Sequence, residues 1–194
     1  HICPSIEKTD ATLPYSARVA ARKTVGLKEV IADHGFNGLA VGIRRDEEGT
    51  RAKERYFSPR DIDGQWDVKD QPPEFWNQFM TAFPPGTHVR IHPLLHWTEL
   101  DIWQYIKREN IPVPPLYFAR IYNEFEGKDF KGQKMRFRSL GEKGITWPVV
   151  SDAETIDQII AELKITKVSE RSGRPMGADE DESSFERLRA DGYM

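Results

Sequence analysis

Gly38-Leu39-Ala40-Val41-Gly42-Ile43 runs without a break into Arg44-Arg45-Asp46-Glu47-Glu48-Gly49-Thr50-Arg51-Ala52-Lys53-Glu54-Arg55, and this stretch decides the fold class. The apolar run is too short for a helix and reads as a buried strand of the parallel-sheet kind. Before it, residues 17–34 read as a helix, with Val25, Leu27, Val30 and Ile31 as its apolar face. Gly35 follows where a left-handed, helix-ending residue belongs. Helix followed by strand is the order of an α/β fold. In open sheets of that class ligands gather beyond the carboxyl ends of the strands. The charged block that starts at Arg44 therefore stands where a site is expected.

Downstream, residues 58–88 are rich in Pro, Asp, Gln and aromatic side chains and read as a long ordered loop with a short helix near 73–82. Thr87-His88-Val89-Arg90-Ile91 alternates and reads as a second strand. Thr98 is the expected N-cap of the next helix, with Glu99 and Asp101 favourable in its first turn. Leu100, Trp103 and Ile106, with Ile102 beside them, form its buried face, and Pro112 is expected to stop it. Residues 113–150 are irregular. Thr155 then caps a helix carrying Ile156, Ile159, Ile160 and Leu163. From Ser169 the chain is charged. This pattern gives an α/β domain over 1–112 and a C-terminal extension over 113–194 that packs on the same domain.

Composition sets the outer limits. The 194 residues are 38% hydrophobic and 30% charged, and the net charge of −3 lacks the basic excess of a nucleic-acid binder. A single cysteine, Cys3, excludes a disulfide framework, a Cys-based zinc site and an iron–sulfur cluster within one chain. No apolar run approaches membrane-spanning length, and His1-Ile2-Cys3-Pro4 has neither the basic nor the apolar part of a signal peptide, so a cytoplasmic protein is expected. His88, His92 and His96 recur every four residues, but Pro93 and the strand pattern argue against a helical metal face. No dinucleotide fingerprint, Walker loop or nucleophile elbow is readable.

Four groups could carry chemistry. Arg44, Arg45, Arg51, Lys53 and Arg55 suit a phosphate or sulfate, because guanidinium forks match oxyanions. Asp46 and Glu47 could hold those arginines or bind magnesium beside a nucleotide. The plain alternative is a solvated charged face. Arg136-Phe137-Arg138, after Lys134, puts both arginines on one side of an extended segment, as an anion contact or as an outward-facing edge strand. Arg171 and Arg174, near Ser172 and Gly173, form either an anion loop or a polar tail. Lys23, next to Arg22 in the first helix, is a nucleotide contact or a surface residue.

Several of these words carry a family resemblance. Gly42-Ile43-Arg44-Arg45-Asp46-Glu47 with Arg51-Ala52-Lys53-Glu54-Arg55 resembles the G-x-R-R-D-E…S-R-A-K-E-R segment of the small subunits of bacterial sulfate adenylyltransferases. Arg90-Ile91-His92-Pro93-Leu94 and Trp97-Thr98-Glu99-Leu100-Asp101-Ile102-Trp103-Gln104-Tyr105-Ile106 are similar to that family's R-V-x-P-L…W-T-E-L-D-I-W-Q-Y-I. So are Met135-Arg136-Phe137-Arg138-Ser139-Leu140-Gly141, Ser169-Glu170-Arg171-Ser172-Gly173-Arg174 and the closing Asp191-Gly192-Tyr193-Met194. The likeness covers nearly all of residues 20–194, in order. Arg22-Lys23-Thr24-Val25-Gly26-Leu27-Lys28 also fits the R-K-x-x-x-L-K helix of the wider group that includes the phosphoadenylyl-sulfate reductases.

The resemblance implies an adenine nucleotide α-hydrolase-like parallel sheet, with ATP and sulfate as substrates, Mg2+ accompanying ATP, and a GTPase large subunit as partner. It implies Lys23, Arg45 and Arg51 as catalytic residues. It places Arg44, Asp46, Glu47, Lys53, Arg55, Arg136, Arg138, Arg171 and Arg174 around the nucleotide and the sulfate. The reductases use a Cys in a C-terminal E-C-G-x-H motif, which this chain lacks. The family's phosphate loop, S-x-S-G-G-K-D-S, is also absent, so the fold is expected to be N-terminally incomplete. Other readings stay open: another nucleotidyltransferase or sulfur-transfer enzyme of the group, or a degenerate, non-catalytic nucleotide-binding subunit.

Overall fold

The computed structural model describes residues 12, 15–47, 49–122, 132–141 and 146–166. Two compact units divide them, one formed by the chain up to Arg45 together with Thr50–Leu95, the other by Asp46–Gly49 and the chain from His96. The sequence boundary at 112 would leave the second helix with the first unit. Here that helix packs against the third, in the second unit.

In the first unit, helix α1 spans Tyr15–His34. Gly35 ends it at φ 63°, and the Phe36 amide donates back to the Ile31 carbonyl at 3.2 Å. That closure needs a residue without a Cβ penalty in the left-handed region. Strand β1, Gly38–Ala40, pairs in parallel with β3, His88–Ile91. Strand β2, Phe57–Arg60, pairs with the other side of β3, antiparallel. The sheet order is therefore β1-β3-β2, and the sheet is mixed rather than all-parallel.

Three expectations need correction here. The apolar run is a strand over three residues only, and its residues are exposed or half-buried, because among the described residues β3 alone pairs with it. Strand β2 lies at the start of what reads as loop; Pro59 masks it, and is tolerated because among the described residues β2 is at the other edge. No helix forms near 73–82. Instead Phe75 and Gln78 bridge across a two-residue turn in which Trp76 (φ 49°) and Asn77 (φ 60°) are both left-handed.

The second unit is built on two helices and a small sheet. Helix α2, Glu99–Arg108, starts at Thr98 with a reciprocal capping box to Asp101. It ends at Glu109 ahead of Pro112, because Asn110 takes φ 51° and the Ile111 amide returns to the Ile106 carbonyl. Helix α3, Ile156–Ile165, is capped by Thr155. Trp103 of α2 and Ile159 and Ile160 of α3 are buried together with Ala153, and Leu100, Ile106 and Leu163 close around them. Burial of each large apolar side chain contributes roughly 1.5–3 kcal/mol. Strands β4 (Arg120–Ile121), β5 (Lys134–Arg136) and β6 (Val149–Val150) form an antiparallel sheet in that order. Met135 packs there with Tyr122 and Phe137. No described helix is long and apolar enough to cross a membrane.

Candidate functional site

The first unit sets Arg60 and Arg90 on one face of its sheet. Register sets Arg90 of β3 opposite Ser58 of β2, and His88 opposite Arg60, so these four side chains share a face. His92, two residues beyond Arg90, continues that face, and its amide prolongs the ladder by donating to the Tyr56 carbonyl at 2.9 Å. Ser58, Arg60, Arg90 and His92 are all buried. Arg51 and Glu54, from the 3-10 turn Gly49–Lys53 and the residue after it, are buried with them.

This face is electrostatically dense. Arg60 donates from Nη1 to Ser58 Oγ at 2.7 Å and to the Pro59 carbonyl at 3.1 Å, and its guanidinium lies 5.1 Å from the Trp66 ring centre. His92 Nδ1 bonds the Arg55 carbonyl at 2.7 Å and lies 3.9 Å from Glu54 Oε2. Burial pushes the His92 imidazole below its usual range; Glu54 and the Arg55 carbonyl oppose this, and Arg60 and Arg51 reinforce it. Burial likewise lowers Arg90, against the pull of Glu54. His88 is lowered by burial first, then by Arg90 and Arg60.

The expected site residues fall into distinct places. Arg44 is buried, and Arg45 is half-buried with its Nη2 donating to the Glu54 carbonyl at 2.9 Å. Arg51 is buried; Arg55 is half-buried, with Nη1 on the Lys53 carbonyl; Lys53 itself is exposed. These five belong to the first unit, as does Lys23, exposed on α1. Asp46 and Glu47 belong to the second unit, where Asp46 Oδ2 accepts the Glu99 amide at 2.6 Å and Glu47 is buried.

Arg136 and Arg138 also lie in the second unit, each against a helix carboxylate. Arg136 donates to Glu162 of α3 from Nε and Nη2, at 3.2 and 2.6 Å. Arg138 pairs with Glu99 of α2 through Nε and Nη2. Arg171 and Arg174 lie outside the described residues.

Sequence reasoning missed Arg60, Arg90, Glu54 and His92. The available signal was the alternation in Phe57-Ser58-Pro59-Arg60 and His88-Val89-Arg90-Ile91, which assigns the polar residues of both strands to one face. Among the described residues no group of three or more His, Cys, Asp or Glu side chains could hold a metal ion.

Residues 8–148 match the Phosphoadenosine phosphosulfate reductase domain. The chain is 42% identical over 189 residues to "Sulfate adenylyltransferase subunit 2" of Geotalea uraniireducens, an alignment covering 89% of this chain and 62% of that protein. The proteins of the same name from Geotalea daltonii and Rhizobium sp. (strain N33) align over the same shares at 42% identity. The chain thus spans less than two thirds of the length of these relatives.

Proposed function

This chain belongs to the phosphoadenosine phosphosulfate reductase domain family, and on that premise we propose that it works in adenylyl transfer, moving AMP from ATP to sulfate to give adenylyl sulfate and pyrophosphate. The observation that carries the reading is the gathering of Arg44, Arg45, Arg51, Arg60 and Arg90, buried or half-buried, in one unit of a chain whose relatives are named sulfate adenylyltransferase subunit 2.

The chemistry asks for little besides positioning and charge. A sulfate oxygen attacks the α-phosphorus, the bond from that phosphorus to the bridging oxygen breaks, and pyrophosphate leaves with the electron pair. No side chain becomes covalently attached. Fixed guanidiniums neutralise the two anions as they meet and the charge that develops on the leaving group. Arg45 and Arg51 take that role, with Lys23 on the nucleotide and Arg44, Lys53 and Arg55 around it. Asp46 and Glu47 orient their neighbours. By the family resemblance Arg136, Arg138, Arg171 and Arg174 are further candidates for oxyanion contacts. A magnesium ion accompanying ATP would offset the charge of its phosphates. Sulfonucleotide reduction is less well supported, because it requires a thiol nucleophile and the sequence offers only Cys3.

The relatives' designation as a second subunit supports a partner chain. Adenylyl sulfate is a high-energy mixed anhydride, so a GTP-hydrolysing partner fits the energetics. The test is formation of adenylyl sulfate from [α-32P]ATP by the full-length protein with sulfate, Mg2+, pyrophosphatase and its partner subunit. Sulfate-dependent product is expected, falling by ~100-fold or more in Arg45→Ala. Absence of product from the assembled complex would overturn the reading.

A further inference from the structure

His92 is wholly buried, yet adenylyl transfer as set out above gives it no task. We propose that it is a positioning residue for Arg45, acting through the backbone of Glu54 and Arg55. That Arg45 then serves catalysis rests on the adenylyl-transfer reading; its placement by His92 does not.

Hydrogen bonds tie Arg45 to His92 by two routes. The first passes through adjacent carbonyls. Arg45 Nη2 donates to the Glu54 carbonyl at 2.9 Å, and the next carbonyl along the chain, that of Arg55, accepts from His92 Nδ1 at 2.7 Å. The second follows the backbone beyond β3. The Leu95 amide returns to the His92 carbonyl at 3.2 Å, and the Leu95 carbonyl accepts the Arg45 amide at 3.0 Å. One residue thus supports Arg45 at both ends, at its amide and at its guanidinium. A long, rotamer-rich side chain keeps one direction only when something holds its far end.

The His92 side chain supplies a part of this that its neighbours do not. Half-buried Glu74 accepts the Tyr56 and Phe57 amides at 2.9 and 3.0 Å. The peptide joining Arg55 to Tyr56 is therefore held at its N–H by Glu74 and at its carbonyl by His92. Without the Nδ1 donor that carbonyl turns toward another, because a backbone acceptor in such a place needs a partner. The preceding peptide, whose carbonyl Arg45 reads, turns with it. Arg55 Nη1 lies 3.4 Å from the same Glu54 carbonyl, so it feels the same change.

The state of the ring fits this task. The carbonyl accepts, so Nδ1 carries the proton, and the buried Glu54 Oε2, 3.9 Å away, favours the same tautomer. His92 Nε2 is buried with no hydrogen-bond partner among the described residues, which suits the bare nitrogen of a neutral ring rather than a second N–H. Burial, the largest influence on the imidazole, keeps it neutral. A neutral ring lends Arg45 no charge, so its contribution is geometric.

The test compares His92→Leu, His92→Gln and His92→Asn with wild type, in the full-length protein with its partner subunit, each checked for folding by circular dichroism. The asparagine amide puts an N–H where Nδ1 stands; leucine has none, and the glutamine amide reaches toward Nε2 instead. In adenylyl sulfate formation, kcat should fall ~10- to 30-fold in His92→Leu and His92→Gln, with KM for ATP and for sulfate within about threefold, and His92→Asn should stay within about threefold of wild type. The loss should vanish in the Arg45→Ala background, where no guanidinium is left to misplace. Losses that multiply there, full activity in His92→Leu, or an asparagine variant no better than the glutamine one overturn the proposal. Should His92→Leu not fold, the glutamine and asparagine variants decide.

A second readout needs no turnover. Solvent exchange of the Arg45 Nη2 protons, followed by NMR in 15N-arginine protein and assigned by their loss in Arg45→Lys, should quicken about tenfold or more in His92→Leu and His92→Gln and not in His92→Asn. Equal exchange in all of them overturns the placement. A wild-type complex that forms no adenylyl sulfate removes the adenylyl-transfer reading, and the exchange rates then settle the role of His92 by themselves.

Discussion

Arg136, wholly buried on β5, donates from Nη2 to Oε1 of Glu162 on α3 at 2.6 Å. The other Glu162 oxygen accepts from Ser151, whose Oγ in turn accepts the Ala153 amide. One carboxylate thus joins the small sheet to the helix pair. Removing one partner from a buried pair leaves the other charge uncompensated, which costs about 3–5 kcal/mol. Glu162→Ala is therefore expected to destabilise by about 3 kcal/mol, a little less because Glu162 is 28% exposed and water reaches it. The double variant Arg136→Met/Glu162→Ala should be less destabilised than the sum of its parts. Urea unfolding of all four proteins measures this coupling, and additive losses would mean the pair is not a unit.

Asp46 gives a second prediction. Its Oδ2 accepts the Glu99 amide at 2.6 Å, while Thr98 caps Asp101, so two side chains share the donors that open α2. Asp46→Ala should cost about 1 kcal/mol, and Asp46→Asn less, since the amide oxygen can still accept. Hydrogen exchange at the Glu99 amide is the local readout, and it should accelerate in Asp46→Ala. Unchanged exchange there would free Asp46 for the substrate role that the sequence suggests.

What was legible in the sequence depended on local chemistry. Helices α1, α2 and α3 were readable because their caps and apolar faces lie within the segment itself: Gly35, Thr98 and Thr155 mark ends that need no tertiary knowledge. Strand β2 was not, because Ser58, Pro59 and Arg60 form a strand only by pairing with β3, some thirty residues away. The same gap hid the candidate site. Arg44, Arg45 and Arg51 are visible as a charge run, whereas Arg60, Arg90 and Glu54 join them only once register is known. Arg136 and Arg138 were read as sharing a side of an extended segment; the carboxylates they meet, Glu162 and Glu99, come from two helices that no local pattern connects to them.

The turn at Trp76-Asn77 makes a third prediction. Both residues are left-handed, at φ 49° and 60°, positions where glycine is favoured and an indole is strained. Trp76 is 91% exposed, so replacing it forfeits little burial beyond its contact with Phe75. Trp76→Gly and Asn77→Gly should each leave stability within ~1 kcal/mol of wild type, on the stabilising side for Trp76→Gly. Trp103→Ala, in the core, should cost ~3–5 kcal/mol. Thermal unfolding separates them, and a large loss at Trp76 would mean that the indole is covered in solution.

Buried His92 and half-buried His88 set the response to acid. His92 is held below its ordinary value of 6.5, first by burial and then by Arg60 and Arg51, with Glu54 and the Arg55 carbonyl pulling the other way. His88 is lowered by burial, Arg90 and Arg60, against Asp61. Below about pH 6.5 the unfolded chain therefore takes up protons that the folded chain refuses, so stability rises with pH across this window and is lost as pH falls through it. Capping-box Asp101 is held below 3.8 by its bonds to Thr98, so its own loss belongs to a lower, separate range. The urea midpoint is expected to drop between pH 7.5 and pH 5, and the slope should flatten in His92→Gln and flatten further in the double variant with His88→Gln. A slope left intact in the double variant would place the proton uptake elsewhere.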